Sequence, residues 1–190
     1  MTTRQARPLS EPHSPYDGQR MSEAEYLALP EEKPYLEFVA GLVVQKAVSN
    51  RAHALLVAEL TFLLVLYARA HGGEAGPERR VLLDRTGRKY RLPDTAYYAP
   101  GTGKHDDDVP TLAVEVRSPG ESLSAQREKC RQFRENGVAV CWLVDPASRT
   151  VEVFEDGREG ERLSGVVSLA SSYLPGFSLA LEALFAVLDR

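Results

Sequence analysis

Cysteine is nearly missing from this chain: Cys130 and Cys141 are the only two in 190 residues. Two thiols build no disulfide framework, so both read as small buried hydrophobes in a protein of the reducing cytoplasm. Residues 1–20 are rich in Pro, Ser and Arg and lack the apolar core of a secretory signal; they read as a disordered arm before a domain spanning 21–190. Long apolar runs are also missing. The longest, Ala54 to Tyr67, is too short to cross a bilayer and carries Glu59 and Thr61, so a buried core helix is expected and no membrane partner. Zinc-ligand spacing, a recognition helix, internal repeats and a dividing linker are all absent. Finally, there is no excess of positive charge. With 23 Lys and Arg against 27 Asp and Glu the net charge is −4, which excludes a protein that binds nucleic acid over its whole surface.

What is present fits one soluble domain with a full core: 43% hydrophobic and 26% charged residues need no staples to fold at this length. Charge is nonetheless uneven. Arg79, Arg80, Arg85, Arg88, Lys89 and Arg91 face only Asp84 in their stretch, and that stretch runs into Pro93-Asp94. A basic patch beside acids suits a phosphate backbone. A solvated hairpin explains the same run.

Ser22 with Glu25 three residues on, followed by Pro30, predicts a short helix over 22–29. Leu36 to Val39 and Leu42 to Val48 flank Ala40-Gly41 as a hairpin. Ser49 or Asn50 caps a long helix from Arg51 to His71, stopped by Gly72-Gly73. Strands are expected over 78–83 and 90–98 around a Gly-containing turn, with Pro93 marking an edge, a bulge or a bend. A strand over 111–116, a helix over 121–136 closed by Gly137, a buried strand over 138–144, a returning strand over 150–154 and a helix over 179–188 complete the order. This is α/β or α+β: one mixed sheet with helices on its faces, in a single domain.

Asp94 and Glu115 lie on or beside apolar β-like runs, twenty-one positions apart, and strand pairing can set them side by side. A carboxylate ending a buried strand needs a partner, and a hard divalent cation is a good one. Mg²⁺ needs only one or two carboxylates, completing its shell with water and substrate oxygens, and it can lower the pKa of a bound water beside a phosphate. Strand-end acids paired with arginines explain the same spacing. Arg117 shares a sheet face with Glu115 and could touch a phosphate or simply close a salt bridge. On the next helix Leu123, Cys130 and Phe133 define the apolar face, and Lys129 falls roughly 85° from its centre, able to reach the acids or to snorkel outward. His53 is expected near solvent. His105 with Asp106, Asp107 and Asp108 reads as a solvated acidic tip, and Gly101-x-Gly103 lacks the following helix that a phosphate cradle needs.

Taken together, Tyr35, Glu37 and Gly41, then His53, Leu92-Pro93-Asp94, Val114-Glu115-Val116-Arg117-Ser118-Pro119, Lys129, Gly137-Val138, Cys141-Trp142 with Asp145-Pro146, and Leu174-Pro175-Gly176-Phe177 resemble the Uma family. Its members are classed as restriction endonucleases within the PD-(D/E)XK nuclease superfamily. The likeness runs from about Ser22 to the C-terminus, and its specificity lies in the order and spacing of motifs that are weak singly.

The resemblance implies a restriction-endonuclease-like mixed sheet, DNA as substrate, and Mg²⁺ (or Mn²⁺ in its place) held by Asp94, Glu115 and the Val116 carbonyl. The superfamily's lysine two residues after the second acid is Arg117 here; in this family it comes from the following helix, which maps to Lys129. Glu37 would approach the same centre and assist a second metal. Asp94, Glu115, Lys129 and Glu37 are thus the expected catalytic set. Leu92 and Cys141 replace an arginine and an aromatic common in the family, and Phe133 lacks the hydroxyl of the usual tyrosine; none of these removes a catalytic group. A homodimer is expected by analogy with superfamily nucleases, with the long apolar helix as an interface. The rival reading is an inactive descendant of the same fold, serving as a nucleic-acid or protein interaction module.

Overall fold

The computed structural model describes residues 13–31, 33–84, 89–105 and 108–190. Most of the expected arm, residues 1–12, lies outside the described residues. Residues 13–20 lie along a strand: Gly18 N donates to Val43 O at 2.9 Å, and Ser14 N donates to the Gln45 side chain at 2.7 Å.

The chain opens with α1 (Glu23–Leu27), fixed by the expected capping box of Ser22 and Glu25. Next come β1 (Leu36–Val39) and β2 (Leu42–Gln45), an antiparallel pair. Ala40 and Gly41 have φ of 50° and 84° between them, the doubly left-handed turn that makes glycine the natural second residue. The long helix α2 (Arg51–His71) starts where Asn50 accepts from His53 N. It is followed by β3 (Glu74–Pro77), β4 (Val81–Asp84), β5 (Lys89–Arg91), β6 (Thr95–Tyr98) and β7 (Leu112–Val116). Helix α3 (Leu123–Glu135) leads to β8 (Val140–Asp145) and β9 (Thr150–Phe154). Short strands β10 (Glu161–Ser164), β11 (Ser168–Leu169) and β12 (Leu179–Ala180), then α4 (Leu181–Phe185) with a closing 3-10 turn, end the fold.

The expected α+β architecture is what these elements build. Six strands in the order β10-β9-β8-β7-β6-β3 form a mixed sheet in which only β7 and β8 run parallel, joined by α3. Alternation along β7 divides the core. Leu112, Val114 and Val116 face α2 and α4, with Leu56, Leu60, Leu64 and Leu184. Ala113 faces the other side, with Cys130 and Phe133 of α3, and Glu115 shares its parity. The two cysteines are buried as expected. At 21 residues α2 is long and apolar enough to span a membrane by composition, longer than the run visible in sequence, but one face is buried against the sheet.

A second, four-stranded sheet runs β2-β1-β5-β4 over Tyr26, Phe38, Val43 and Tyr90. The single strand expected over 90–98 is therefore two. Pro93 has no N–H to give a ladder, and at Leu92-Pro93-Asp94 the chain leaves the small sheet and enters the large one. That step brings the two sheets, and the acids they carry, to one place. The unforeseen strand β3 pairs with β6 and forms the sheet edge. A Cβ on Gly73, just before it, would lie 2.2 Å from Tyr98 O, so only glycine lets the two backbones approach.

Candidate active site

A cavity of about 200 Å³ opens between the sheets and is lined by Glu37 from β1, Lys46 just past β2, His53 from α2, Arg91 from β5, Asp94, Glu115 and Val116, and Gln126 and Lys129 from α3. All four expected catalytic side chains reach it, along with Val116. Strand pairing sets the acids. Thr95 pairs with Val114, Asp94 N donates to Val114 O at 3.0 Å, and one further step of that register sets Asp94 across from Glu115. Asp94 is then locked: Val116 N donates to Oδ2 at 2.8 Å, His53 Nε2 lies 3.1 Å from the same oxygen, and Lys46 Nζ lies 2.8 Å from Oδ1.

Lys129 does not snorkel. Only 7% exposed, it places Nζ 2.8 Å from Glu37 Oε1 and 2.9 Å from Glu115 Oε1. Glu37 is further held by Arg91 at 2.7 Å and by Leu92 N at 2.9 Å. Glu115 Oε1, in contrast, is buried with no hydrogen bond, since the lysine approaches at ion-pair distance but off the hydrogen-bonding angle.

These surroundings split the acids electrostatically. Burial works against ionisation of Glu37, but Lys129 and Arg91 outweigh it and bring the carboxyl down to about 2. Burial also opposes ionisation of Asp94, where Lys46 and His53 prevail and hold it well below the usual carboxylate range. Glu115 goes the other way: burial, with Asp94 adding repulsion and Lys129 only partly compensating, pushes it up to about 7. Lys129 itself stays firmly charged, since Glu115 and Glu37 overcome its desolvation.

Sequence reasoning missed three members of the cluster. Lys46 ends an apolar β run, and Arg91 is one of several cations in a basic stretch; nothing local distinguishes either. His53, expected near solvent, is buried, because α2 starts close to the step between the sheets and points its first turn inward. Arg117 does not line the cavity: it pairs with Asp145 at 3.2 Å and donates to Glu121 O at 3.0 Å. Three cations of the basic stretch are paired within the protein, two at its surface and Arg91 in the cavity. Arg79 pairs with Glu74 and lies over the Tyr98 ring, Arg80 pairs with Glu31, and Arg91 with Glu37. Arg85 and Arg88, like Asp106 and Asp107 of the expected acidic tip, lie outside the described residues.

Glu37, Asp94, Glu115, Lys46, Lys129, Arg91 and His53 around one small cavity form a polar cluster with far more charge than a core needs. Oxygen ligands suit a hard cation, and Glu115 Oε1 is a buried acceptor still lacking a hydrogen bond. Among the described residues no three His, Cys, Asp or Glu side chains form a ready-made ligand set. A cation here would therefore take Asp94 and Glu115 and complete its shell with backbone, water or substrate oxygens, as Mg²⁺ commonly does.

Comparison with known proteins bears on this cluster. No match was found among curated proteins. A crystal structure described as that of a "putative nuclease belonging to DUF820" from Anabaena variabilis superposes with a TM-score of 0.75 at 21% identity, covering 87% of this chain and 97% of that one. At that identity it establishes the fold. A cryo-EM structure of a DrdV–DNA complex matches more weakly, with a TM-score of 0.39 and 17% identity over 56% of this chain and 9% of that one. The family model described as "Uma2: Putative restriction endonuclease" matches residues 23–182, which include every side chain of the cavity. The chain belongs to the Uma2 family, a family of the nuclease class.

Proposed function

We propose that the protein is a Mg²⁺-dependent endonuclease that hydrolyses phosphodiester bonds in DNA, with Mn²⁺ able to replace Mg²⁺. The observation that carries this reading is Lys129: a buried lysine held between Glu37 and Glu115 beside Asp94. Burying such a cluster costs stability that a purely structural sheet edge would not spend. A bound Mg²⁺ would supply Lewis-acid polarisation of the phosphate and a water of lowered pKa.

Asp94 and Glu115 are the proposed ligands, with the Val116 carbonyl next to Glu115 on β7. Asp94 is ionised and aimed by Val116 N and His53, so it is preorganised for a cation. Lys129 presents a fixed positive charge to the cavity and stabilises negative charge building on the phosphate oxygens. Glu37 has both oxygens engaged by Lys129, Arg91 and Leu92 N, so its part is to position Lys129 rather than to offer a free ligand. The reading extends to a homodimer through Phe62 and Leu66, the exposed large apolar side chains of α2. Sedimentation of wild type and Phe62→Glu tests that extension, and a wild-type monomer contradicts it.

One observation favours the rival reading of an inactive binding module: Lys46 and Lys129 already neutralise the acids without any metal. Incubating the chain with supercoiled, linear, single-stranded and branched DNA separates the two. Cleavage in Mg²⁺ or Mn²⁺ that stops with chelator and with Asp94→Ala is expected. Binding without cleavage of any substrate would favour the module.

A further inference from the structure

We propose that Lys46 is an exchanging cation: it occupies Asp94 while no metal is bound, and a divalent ion displaces it onto a phosphate of the substrate. This rests on the nuclease reading above and assigns a task to a residue outside the expected catalytic set.

The two oxygens of Asp94 are used differently. Oδ2 is fixed by Val116 N and His53, whereas among the described residues Oδ1 meets the Lys46 ammonium alone, at 2.8 Å. A Mg²⁺ ion coordinates oxygen at about 2.0–2.1 Å. An ammonium and a divalent ion on the same carboxylate oxygen repel each other, so arrival of the ion weakens the hold of Lys46 on Oδ1. Lys46 can leave without being stranded. Its second acceptor, Leu92 O at 2.8 Å, is backbone and stays in place. The side chain also stands at the wall between the acid cavity and a neighbouring cavity of about 300 Å³ lined by Lys33, Pro34, Tyr35 and Val48. A lysine suits this exchange because it is a compact charge on a flexible stem with three donors, unlike a planar guanidinium. Released beside a bound cation, it meets the anion that the cation attracts. Lys129 has no such freedom, being clamped between two acids.

The test uses the full chain and two variants, Lys46→Met and Lys46→Arg. Calorimetry with Mg²⁺ and Mn²⁺ should show Lys46→Met binding the ion about tenfold or more tighter than wild type, because a competing unit charge beside the ligand is gone. Duplex DNA affinity is then measured against salt, with and without Ca²⁺. In Ca²⁺ the salt slope of Lys46→Met should fall by about one phosphate contact relative to wild type, and without Ca²⁺ it should match wild type. Lys46→Arg keeps the charge and should bind the ion no tighter than wild type; a further variant, Lys46→Gln, removes the charge while keeping a polar side chain, should also tighten ion binding, and carries the competition test should the methionine variant not fold. Unchanged or weakened ion binding by Lys46→Met, or a slope lost equally with and without Ca²⁺, overturns the exchange while leaving the nuclease reading intact. Failure of wild type to bind either ion overturns both.

Discussion

Lys129 stands against two buried carboxyl groups at once, and that makes its removal informative. Lys129→Met keeps the volume but leaves Glu37 with Arg91 and Glu115 with only the more distant Lys46. Breaking a buried pair in this way costs about 3–5 kcal/mol, visible as a lower denaturation midpoint. On the nuclease reading turnover should fall at least about a hundredfold while ion affinity changes far less; equal loss of both would move Lys129 from phosphate stabilisation to metal-site upkeep. The two glutamates also predict opposite pH responses. Glu37, brought down to about 2 in the fold from 4.5, stabilises the protein above pH 4.5, and that contribution is lost as pH falls through 2. Glu115 is raised from 4.5 to about 7, so its contribution is complete below pH 4.5 and lost as pH rises through 7. Stability of the metal-free protein should therefore decline between pH 5 and 7, and Glu115→Gln should abolish the decline. Because a cation needs the ionised form, Mg²⁺ binding at pH 6 should release close to one proton, measurable by calorimetry in buffers of different ionisation enthalpy. No proton release would contradict the assigned state of Glu115.

At the scale of elements, the site depends on how α3 and the 92–94 step are seated. Phe133 and Cys130 anchor α3 on the sheet with no exposed surface, and the helix carries Lys129 with them. Phe133→Ala should cost about 3–5 kcal/mol in chemical denaturation, and more activity than a remote core truncation such as Leu169→Ala. Asn50 caps α2 and so steadies His53; Asn50→Ala should cost about 1 kcal/mol. Helices were legible in sequence because caps and stop residues are local: Ser22 and Pro30 bracket α1, Asn50 and Gly72 bracket α2, and Gly137 closes α3, so the expected ends fall within two residues of the observed ones. The central strands were legible from continuous apolar runs. What was not legible is any decision made between elements. Pro93 signals a bend, but no local pattern says that the bend joins two sheets. The short strands β3, β10 and β11 contain Gly, Pro, Ser or Arg, β12 is only Leu179–Ala180, and all four owe their conformation to a partner. The acids and Lys129 could be found through motif order, whereas Lys46 and Arg91 became site residues only through that junction.

The whole molecule is acidic, with net charge −4, and Arg79, Arg80 and Arg91 are paired with Glu74, Glu31 and Glu37. Long-range steering of DNA should then be weak, and on the proposed reading a divalent ion in the cavity would add the positive charge that draws a phosphate in. DNA affinity is expected to rise several-fold on adding Ca²⁺; filter binding with and without the ion checks this, and metal-independent affinity would point to the binding-module reading. The account comes down to whether the charged cluster between the sheets is a cation site. Calorimetric titration of Mg²⁺ into wild type and into the Asp94→Asn, Glu115→Gln double variant measures that directly. Saturable binding of one or two ions by wild type, lost in the variant although it remains folded, is the predicted result; the same heat from both, or none from wild type, would contradict it.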